Sequence, residues 1–177
     1  MKKEKGLVNL VVLALIFLAP VISTATEIGG GYGRQFKGNT DLEQYEILVR
    51  EPLSYKTMLG EHYAITSDLE LGAAVVREIH DENSGLARFS VMPQLSIRPF
   101  DRLQFFAGLG AGFMLGDTEF TQHNLGGPLF LSAKLGLRFR FTENWGLEYL
   151  YYHQSNADIY AYNASLNMQQ LAIFYIF

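Results

Sequence analysis

The sequence predicts an all-β protein, an eight-stranded antiparallel transmembrane β-barrel that follows a cleaved N-terminal signal peptide. Three observations predict it. The chain opens with a charged and then apolar leader, which is typical of export. Past residue 26 no apolar run is long enough for a spanning helix, although 49% of the residues are hydrophobic. Those residues alternate with polar ones in segments of about 10 to 14 residues, long enough to cross a bilayer as tilted strands.

The N-terminal segment is interpreted as a signal peptide. Several lysines precede an apolar run over 7–22, and small residues up to Ala25 offer a cleavage site. A retained membrane helix is the alternative, but it needs about 20 apolar residues, and this run is shorter and contains a proline. We therefore expect a signal peptide at 1–25 and one outer-membrane barrel domain at 26–177.

Composition limits the partners and cofactors. Cleavage after Ala25 leaves 152 of the 177 residues, and the loss of three lysines and one glutamate takes the net charge from −4 to −6. This acidic balance gives no support for nucleic-acid binding, which needs a basic face or stripe. The sequence has no cysteine, and His62, His80 and His123 are scattered without the spacing of metal ligands. We expect no disulfide, no metal, no cofactor and no nucleic-acid partner.

A period of two is clear between residues 129 and 141. The odd positions carry leucine, alanine or phenylalanine, whereas the even positions include Ser132, Lys134 and Arg138. In a soluble sandwich the charged face meets water, and in a membrane barrel it fills the lumen while the apolar face meets lipid. Alternation alone leaves both architectures open. Strand length favours the barrel, because strands of soluble sheets usually have about 5 or 6 residues.

The connections and the end of the chain favour the same choice. Short connections at 99–102 and 142–144 alternate with longer polar ones at 116–127 and 157–166, as periplasmic turns alternate with extracellular loops. The chain ends in Phe-Tyr-Ile-Phe, which resembles the assembly signal of outer-membrane barrels, so we expect the barrel-assembly machinery as a partner. Side chains fill the interior of a barrel this small. The eight strands are expected near 27–36, 42–50, 62–76, 86–98, 103–115, 128–141, 145–156 and 167–177.

The candidate chemistry lies on the seventh predicted strand. Residues two apart share a face, so His153 and Ser155 project together on the apolar, lipid-facing side, whereas Glu148 and Gln154 point into the lumen. A serine becomes a nucleophile when a neighbouring imidazole removes its proton. Residues two apart lie about 7 Å apart at Cα, so the pair needs both side chains to lean together or a local bend in the strand.

A third group that orients the imidazole is expected on the eighth strand. If the two strands form a hairpin centred near Ala161, paired residue numbers sum to roughly 322. That register places Asn167 opposite Ser155 and beside His153. An amide carbonyl can orient an imidazole, but it stabilises imidazolium less than a carboxylate does. Asp158, in the connecting loop, is the alternative third group.

The segment 153–157, His-Gln-Ser-Asn-Ala on the penultimate strand, resembles the lipid A 3-O-deacylase (PagL-type) family of outer-membrane barrels. The similarity runs from Leu103, through the loop at 124–126, to Phe177, and earlier strands match in pattern. The resemblance implies a serine esterase that hydrolyses the ester-linked 3-hydroxyacyl chain of lipid A in the outer leaflet, without a metal. It implies a place in the bacterial outer membrane, with lipopolysaccharide as substrate and membrane lipids as partners, and it leaves a homodimer open.

The same resemblance implies roles for individual residues. His153 is the general base, Ser155 is the nucleophile, and Asn167 occupies the position of the third triad member, where a glutamate stands in the best-known form. Asn156 and Asp158 contribute to the oxyanion hole. Asp158 departs from the family, which usually has glycine there; the backbone amide is kept, but a negative charge is added.

Two other functions are weighed against this one. Outer-membrane phospholipase A has a similar His-x-Ser-Asn strand motif with an asparagine as third member, but its barrel is much larger and calcium-dependent as a dimer. This sequence has no evident cluster of acidic loop ligands. A non-catalytic barrel for membrane stabilisation or adhesion would use His153 as an interfacial anchor and carry long loops, whereas the longest loop here has about 12 residues.

Overall fold

The described part of the chain is built from β-strands. The computed structural model describes residues 26–36, 41–60, 63–79, 81–121 and 123–177, so the expected signal peptide at 1–25 lies outside the described residues. Among the described residues, no helix is long and apolar enough to cross a membrane. The strands are β1 (Glu27–Gln35), β2 (Leu42–Leu59), β3 (Tyr63–Glu78), β4 (Asp81–Phe100), β5 (Leu103–Gly116), β6 (Glu119–Phe120), β7 (His123–Asn124), β8 (Leu129–Arg140), β9 (Trp145–Ser155) and β10 (Leu166–Ile176).

Eight of these strands form a closed antiparallel barrel in the order β1-β10-β9-β8-β5-β4-β3-β2. The barrel closes where β10 pairs with β1, from Glu27 opposite Ile176 to Gln35 opposite Met168. The predicted fold class is confirmed, and each barrel strand overlaps one predicted segment. The strands β6 and β7 form a separate hairpin within the connection from β5 to β8, which the sequence analysis treated as a loop.

The second strand is longer than the sequence predicts. Instead of ending near Arg50, β2 continues to Leu59 and pairs with β3 across an irregularity between Pro52 and Lys56. A proline is tolerated at a bulge, because the residue there does not need to donate to the ladder. The side chains over 51–59 are exposed, so this part of β2 has no buried face that alternation could reveal.

The two faces of the barrel wall differ as predicted. Along β9, Leu147, Tyr149 and Tyr151 are exposed on the outer wall, whereas Glu148 and Tyr152 are fully buried in the lumen. The end of the barrel with the short turns is here called the periplasmic end, and the opposite end the extracellular end, following the usual arrangement of outer-membrane barrels. The odd-numbered residues of β9 and β10 therefore lie on the lipid-facing side.

Ion pairs fill one layer of the lumen. The Lys134 ammonium lies 2.9 Å from Glu46 and 2.7 Å from Glu70. The Arg50 guanidinium lies 2.8 Å from Glu70 and 2.6 Å from Glu148. All five side chains are buried, so each charge depends on its partners to offset the loss of water. The interior is thus filled by side chains, as expected for eight strands.

A buried apolar cluster closes the lumen at the extracellular end. Phe120 and Leu125, from the connection between β5 and β8, belong to this cluster. The connection is therefore packed onto the barrel, and its position relative to the end of β9 is fixed. The other members of the cluster, contributed by the barrel strands, are Leu42, Val76, Leu86, Phe106, Met114, Phe130, Leu150, Tyr152, Leu166 and Met168.

Candidate active site

His153 lies on the outer wall in contact with Asn167. β9 and β10 place the two residues directly opposite each other, and His153 Nδ1 lies 2.9 Å from Asn167 Oδ1. An amide oxygen only accepts hydrogen bonds, so Nδ1 is the donor in this contact, and an imidazole with one proton then has Nε2 as its acceptor. This is the tautomer that a general base requires.

The register of this hairpin differs from the predicted one. Paired residues in β9 and β10 sum to 320, so Asn167 stands opposite His153 and not opposite Ser155. Pairing begins with Gln154 and Leu166, because the chain leaves the strand at Asn156 in a tight turn. In this register Asn167, the predicted third group, lies closer to the imidazole than the sequence indicated.

Ser155 is the last residue of β9 and shares the outer face with His153. Both residues are half-buried, and Ser155 stands opposite Leu131 of β8. Within the residues that the structure describes, no hydrogen bond joins the Ser155 hydroxyl to the imidazole. Residues two apart on a strand lie about 7 Å apart at Cα, and catalytic hydrogen bonds are often long until substrate is bound. The structure therefore pairs His153 with Asn167 and leaves Ser155 as an adjacent, unpaired hydroxyl.

The Asn156 side chain joins two extracellular loops. It is buried, and its amide NH₂ donates to the carbonyl of Leu125 at 2.9 Å and to that of Tyr162 at 2.6 Å. Leu125 belongs to the connection between β5 and β8, and Tyr162 to that between β9 and β10. Gly126 allows this close approach, because its φ is +89° and a β-carbon there would collide with the Tyr162 carbonyl.

A strained turn follows β9. Ala157 and Asp158 both have left-handed backbone angles, with φ of 50° and 61°, and the Ile159 N–H donates to the Asn156 carbonyl at 3.1 Å. Asn163 holds the turn from the side: its Oδ1 accepts the Asn156 N–H at 2.9 Å and its Nδ2 donates to the Asp158 carboxylate at 2.8 Å. Left-handed non-glycine residues persist where the surroundings hold them, often at functional sites.

The turn presents two free backbone donors beside Ser155. Among the described residues, the N–H groups of Ala157 and Asp158 have no acceptor, whereas both donor groups of Asn156 are engaged. Successive N–H groups in a turn form a concavity that binds anions. The Asp158 amide is thus available for an oxyanion, while the expected contribution of Asn156 requires Asn163 to release its N–H.

An apolar surface surrounds these polar groups. Leu131 and Leu135 of β8 and Leu171 of β10 are exposed on the same outer wall. Such a surface is suited to an acyl chain lying along the barrel, with its polar end at the extracellular rim. Among the described residues, no group of three or more acidic, histidine or cysteine side chains is placed to hold a metal ion.

The family comparison decides the class of protein. The family model of the lipid A 3-O-deacylases (PagL) matches residues 53–175. The chain belongs to this family. The match begins in β2, well before the Leu103 at which the resemblance was expected to start, and it confirms the predicted class: an ester hydrolase of the outer membrane that deacylates lipid A.

Solved structures show the same fold for this PagL-family chain. The crystal structure of the outer-membrane enzyme PagL is similar with a TM-score of 0.70 at 17% identity, covering 84% of this chain and 97% of that chain. Neisserial surface protein A has a TM-score of 0.55 at 8% identity, with 85% and 95% covered. A designed transmembrane β-barrel has a TM-score of 0.54 at 14% identity, with 85% and 95% covered. No curated protein matches the sequence.

Two residues of the candidate site were not predicted from the sequence. Tyr151 donates its hydroxyl to Asn167 Oδ1 at 2.7 Å, and Asn163 supports the turn after Ser155. Tyr151 could have been found, because it lies two residues before His153 and shares its face. Asn163 lies in an irregular loop, where no periodicity indicates which way a side chain points.

His123 supports the same loops. It is buried in the β6–β7 hairpin, near the Ser165 backbone just before β10, and its Nε2 has no hydrogen-bond partner among the described residues. Burial lowers the pKa of His123, and the nearby Ser165 backbone opposes this in part. The ring is therefore neutral near pH 7 and acts as a packed loop residue.

Proposed function

We propose that this chain removes the 3-hydroxyacyl chain of lipid A with Ser155 as nucleophile and His153 as general base. The observation that carries the proposal is the 2.9 Å contact between His153 Nδ1 and Asn167 Oδ1 on the lipid-facing wall, beside an unpaired serine. A polar trio on a wall that meets lipid is costly unless it has a function. An ester carried by a membrane lipid reaches this wall directly, whereas a water-soluble ester does not.

The proposed reaction proceeds in two steps. Ser155 Oγ attacks the ester carbonyl while His153 Nε2 takes the hydroxyl proton. The carbonyl oxygen becomes an oxyanion and accepts from the free N–H groups of Ala157 and Asp158. The ester C–O bond then breaks, His153 returns the proton to the sugar oxygen, and an acyl-serine forms. Water, deprotonated by His153, hydrolyses the acyl-serine and releases the hydroxy fatty acid.

A purified-protein assay tests this proposal against the phospholipase alternative. The protein, refolded in detergent, receives either lipopolysaccharide or a diacyl phosphatidylethanolamine, with and without a calcium chelator. We expect release of a 3-hydroxy fatty acid from lipopolysaccharide that the chelator leaves unchanged. Release from the phospholipid alone, or activity abolished by the chelator, would instead support a phospholipase, and no release from either substrate by folded protein would favour the non-catalytic barrel.

Removing the Asn156 side chain is expected to impair catalysis by separating the two loops. Asn156→Ala leaves two carbonyls without their donor, each costing about 1–3 kcal/mol where buried, and loosens the turn that carries the free N–H groups. We expect kcat on lipopolysaccharide to fall about tenfold or more. The matched control is Asn144→Ala, since Asn144 Nδ2 donates to the Ile176 carbonyl at 2.8 Å at the periplasmic end. Equal activities of the two variants would show that the Asn156 side chain is dispensable.

Replacing Asp158 is expected to raise activity. The Asp158 carboxylate belongs to a residue whose N–H is proposed to bind the oxyanion, and two negative charges about 4 Å apart repel each other by about 1 kcal/mol even in bulk water. Asp158→Gly removes this charge and also suits the positive φ of 61°. We expect kcat to rise about threefold to tenfold at low salt, and less at high salt because of screening. Asp158→Asn removes the charge but keeps a side chain, so it separates the effect of charge from that of the backbone. A rise in kcat in both variants assigns the effect to charge, and a fall in kcat in both contradicts the prediction.

A further inference from the structure

We infer that the Tyr151 hydroxyl is a positioning group that holds the Asn167 amide with its oxygen towards His153. The inference rests on the proposed function, because it explains how this chain keeps a general base without a carboxylate behind it. Tyr151 contacts neither the reacting serine nor the free N–H groups of the turn; it acts through Asn167.

The contacts define the orientation of the amide. Asn167 Oδ1 accepts from the Tyr151 hydroxyl at 2.7 Å and from His153 Nδ1 at 2.9 Å. Asn167 Nδ2 faces the Ser165 carbonyl at 3.4 Å. The oxygen thus uses both of its lone pairs, and the nitrogen faces an acceptor that cannot donate. Together these partners favour one of the two orientations of the amide.

An amide must be held in one orientation to support the general base, whereas a carboxylate need not be. Both oxygens of a carboxylate accept, so either one keeps the imidazole proton on Nδ1. A rotated asparagine would present its NH₂ to His153, and Nδ1 would then have to accept. The proton would move to Nε2, the atom that must take the proton from Ser155. Asn167 on an outer wall, with lipid on one side, depends on Tyr151 to prevent that rotation.

Tyr151 is itself held by the residue that follows β1. Its ring packs against Phe36, with ring centroids 5.6 Å apart and planes at 61°. The Phe36 N–H donates to the backbone carbonyl of Asn167 at 3.2 Å, so one residue supports both partners. The Tyr151 side chain is 38% exposed, and its ring contact with Phe36 does not involve the hydroxyl. Tyr151→Phe therefore keeps the packing of the ring and removes only the hydrogen bond to Asn167.

The kinetic test compares two tyrosines on one face of β9. Tyr151→Phe keeps the ring and removes the hydroxyl, and Tyr149→Phe is the matched control because the Tyr149 hydroxyl has no partner among the described residues. We expect kcat of Tyr151→Phe to fall about tenfold with KM almost unchanged, and Tyr149→Phe to match the wild type. In the Asn167→Asp background the loss of kcat caused by Tyr151→Phe is expected to shrink below about twofold. Both carboxylate oxygens accept from His153 Nδ1, so rotation of the carboxylate does not change the tautomer. An equal loss in both backgrounds would overturn the inference.

A spectroscopic readout tests the inference even if the wild type fails to release acyl chains. Nitrogen-15 NMR of histidine-labelled protein distinguishes a protonated from an unprotonated ring nitrogen, and His153→Gln identifies the His153 signals. We expect wild-type His153 to carry its proton on Nδ1, and Tyr151→Phe to show a mixture of tautomers. An unchanged tautomer in Tyr151→Phe would contradict the positioning role. If the wild type were inactive but Tyr151→Phe still changed the tautomer, the proposed deacylase mechanism would be contradicted and the positioning role of Tyr151 would be supported.

Discussion

Replacing Ser155 by alanine is expected to lower deacylation of lipopolysaccharide by about a thousandfold or more, because the nucleophile is lost while the barrel is unchanged. His153→Ala is expected to cost about as much, and the double variant little more, since a nucleophile and its base act as one unit. The measurement is the rate of hydroxy fatty acid release by refolded protein of equal concentration. Heat-dependent migration in electrophoresis checks that each variant has folded.

Ser132→Ala is the matched control for the loss of a serine hydroxyl. Ser132 lies on β8 next to the site but is buried in the lumen, opposite Gln154. We expect this variant to keep wild-type activity. If Ser155→Ala retained more than about a tenth of the activity, the assignment of the nucleophile would be wrong, and an additive loss in the double variant would mean that the two residues act separately.

Replacing Lys134 by methionine is expected to lower the free energy of unfolding by about 3–5 kcal/mol, the range for breaking a buried ion pair by removing one partner. Lys134 lies between Glu46 and Glu70, and all three are buried. Without the ammonium, two carboxylates face each other in the lumen with one cation fewer. Urea titration of the protein in lipid vesicles measures the change.

Two further variants define the cause of that loss. Lys56→Met removes an exposed charge at the periplasmic end and is expected to change the free energy of unfolding by less than about 1 kcal/mol. Adding Glu70→Gln to Lys134→Met is expected to restore part of the stability, because it removes one of the uncompensated charges. A Lys134→Met variant as stable as the wild type would show that the lumen network contributes only packing.

The face of the barrel wall that each strand residue occupies could be predicted from the sequence, because it follows a fixed period of two. The alternation around Lys134 and Arg138 indicated which residues face the lumen, and the position of His153 relative to Tyr151 indicated the lipid-facing wall. Both are confirmed because a strand reverses its side-chain direction at every residue, whatever its neighbours are. The turn lengths also favoured a barrel, and the closed order of the eight strands confirms that architecture.

Features set by irregular backbone could not be predicted. The register of β9 and β10 depends on where the turn begins, and a turn with left-handed residues at Ala157 and Asp158 shifted it by two. The amide network around Asn156 and Asn163 joins loops that are distant in sequence. The exposed continuation of β2 beyond Arg50 has no buried face. In each case the determining contacts are tertiary, and no local pattern reports them.

Mass spectrometry of lipid A from cells tests the central claim most directly. The chain is expressed in a bacterium whose lipid A carries an ester-linked 3-hydroxyacyl chain at the 3-position, alongside Ser155→Ala and an empty vector. We expect wild-type cells to yield lipid A lacking that one chain and both controls to yield the intact lipid. Intact lipid A in cells whose outer membrane contains folded wild-type protein would contradict the deacylation of lipid A by this chain.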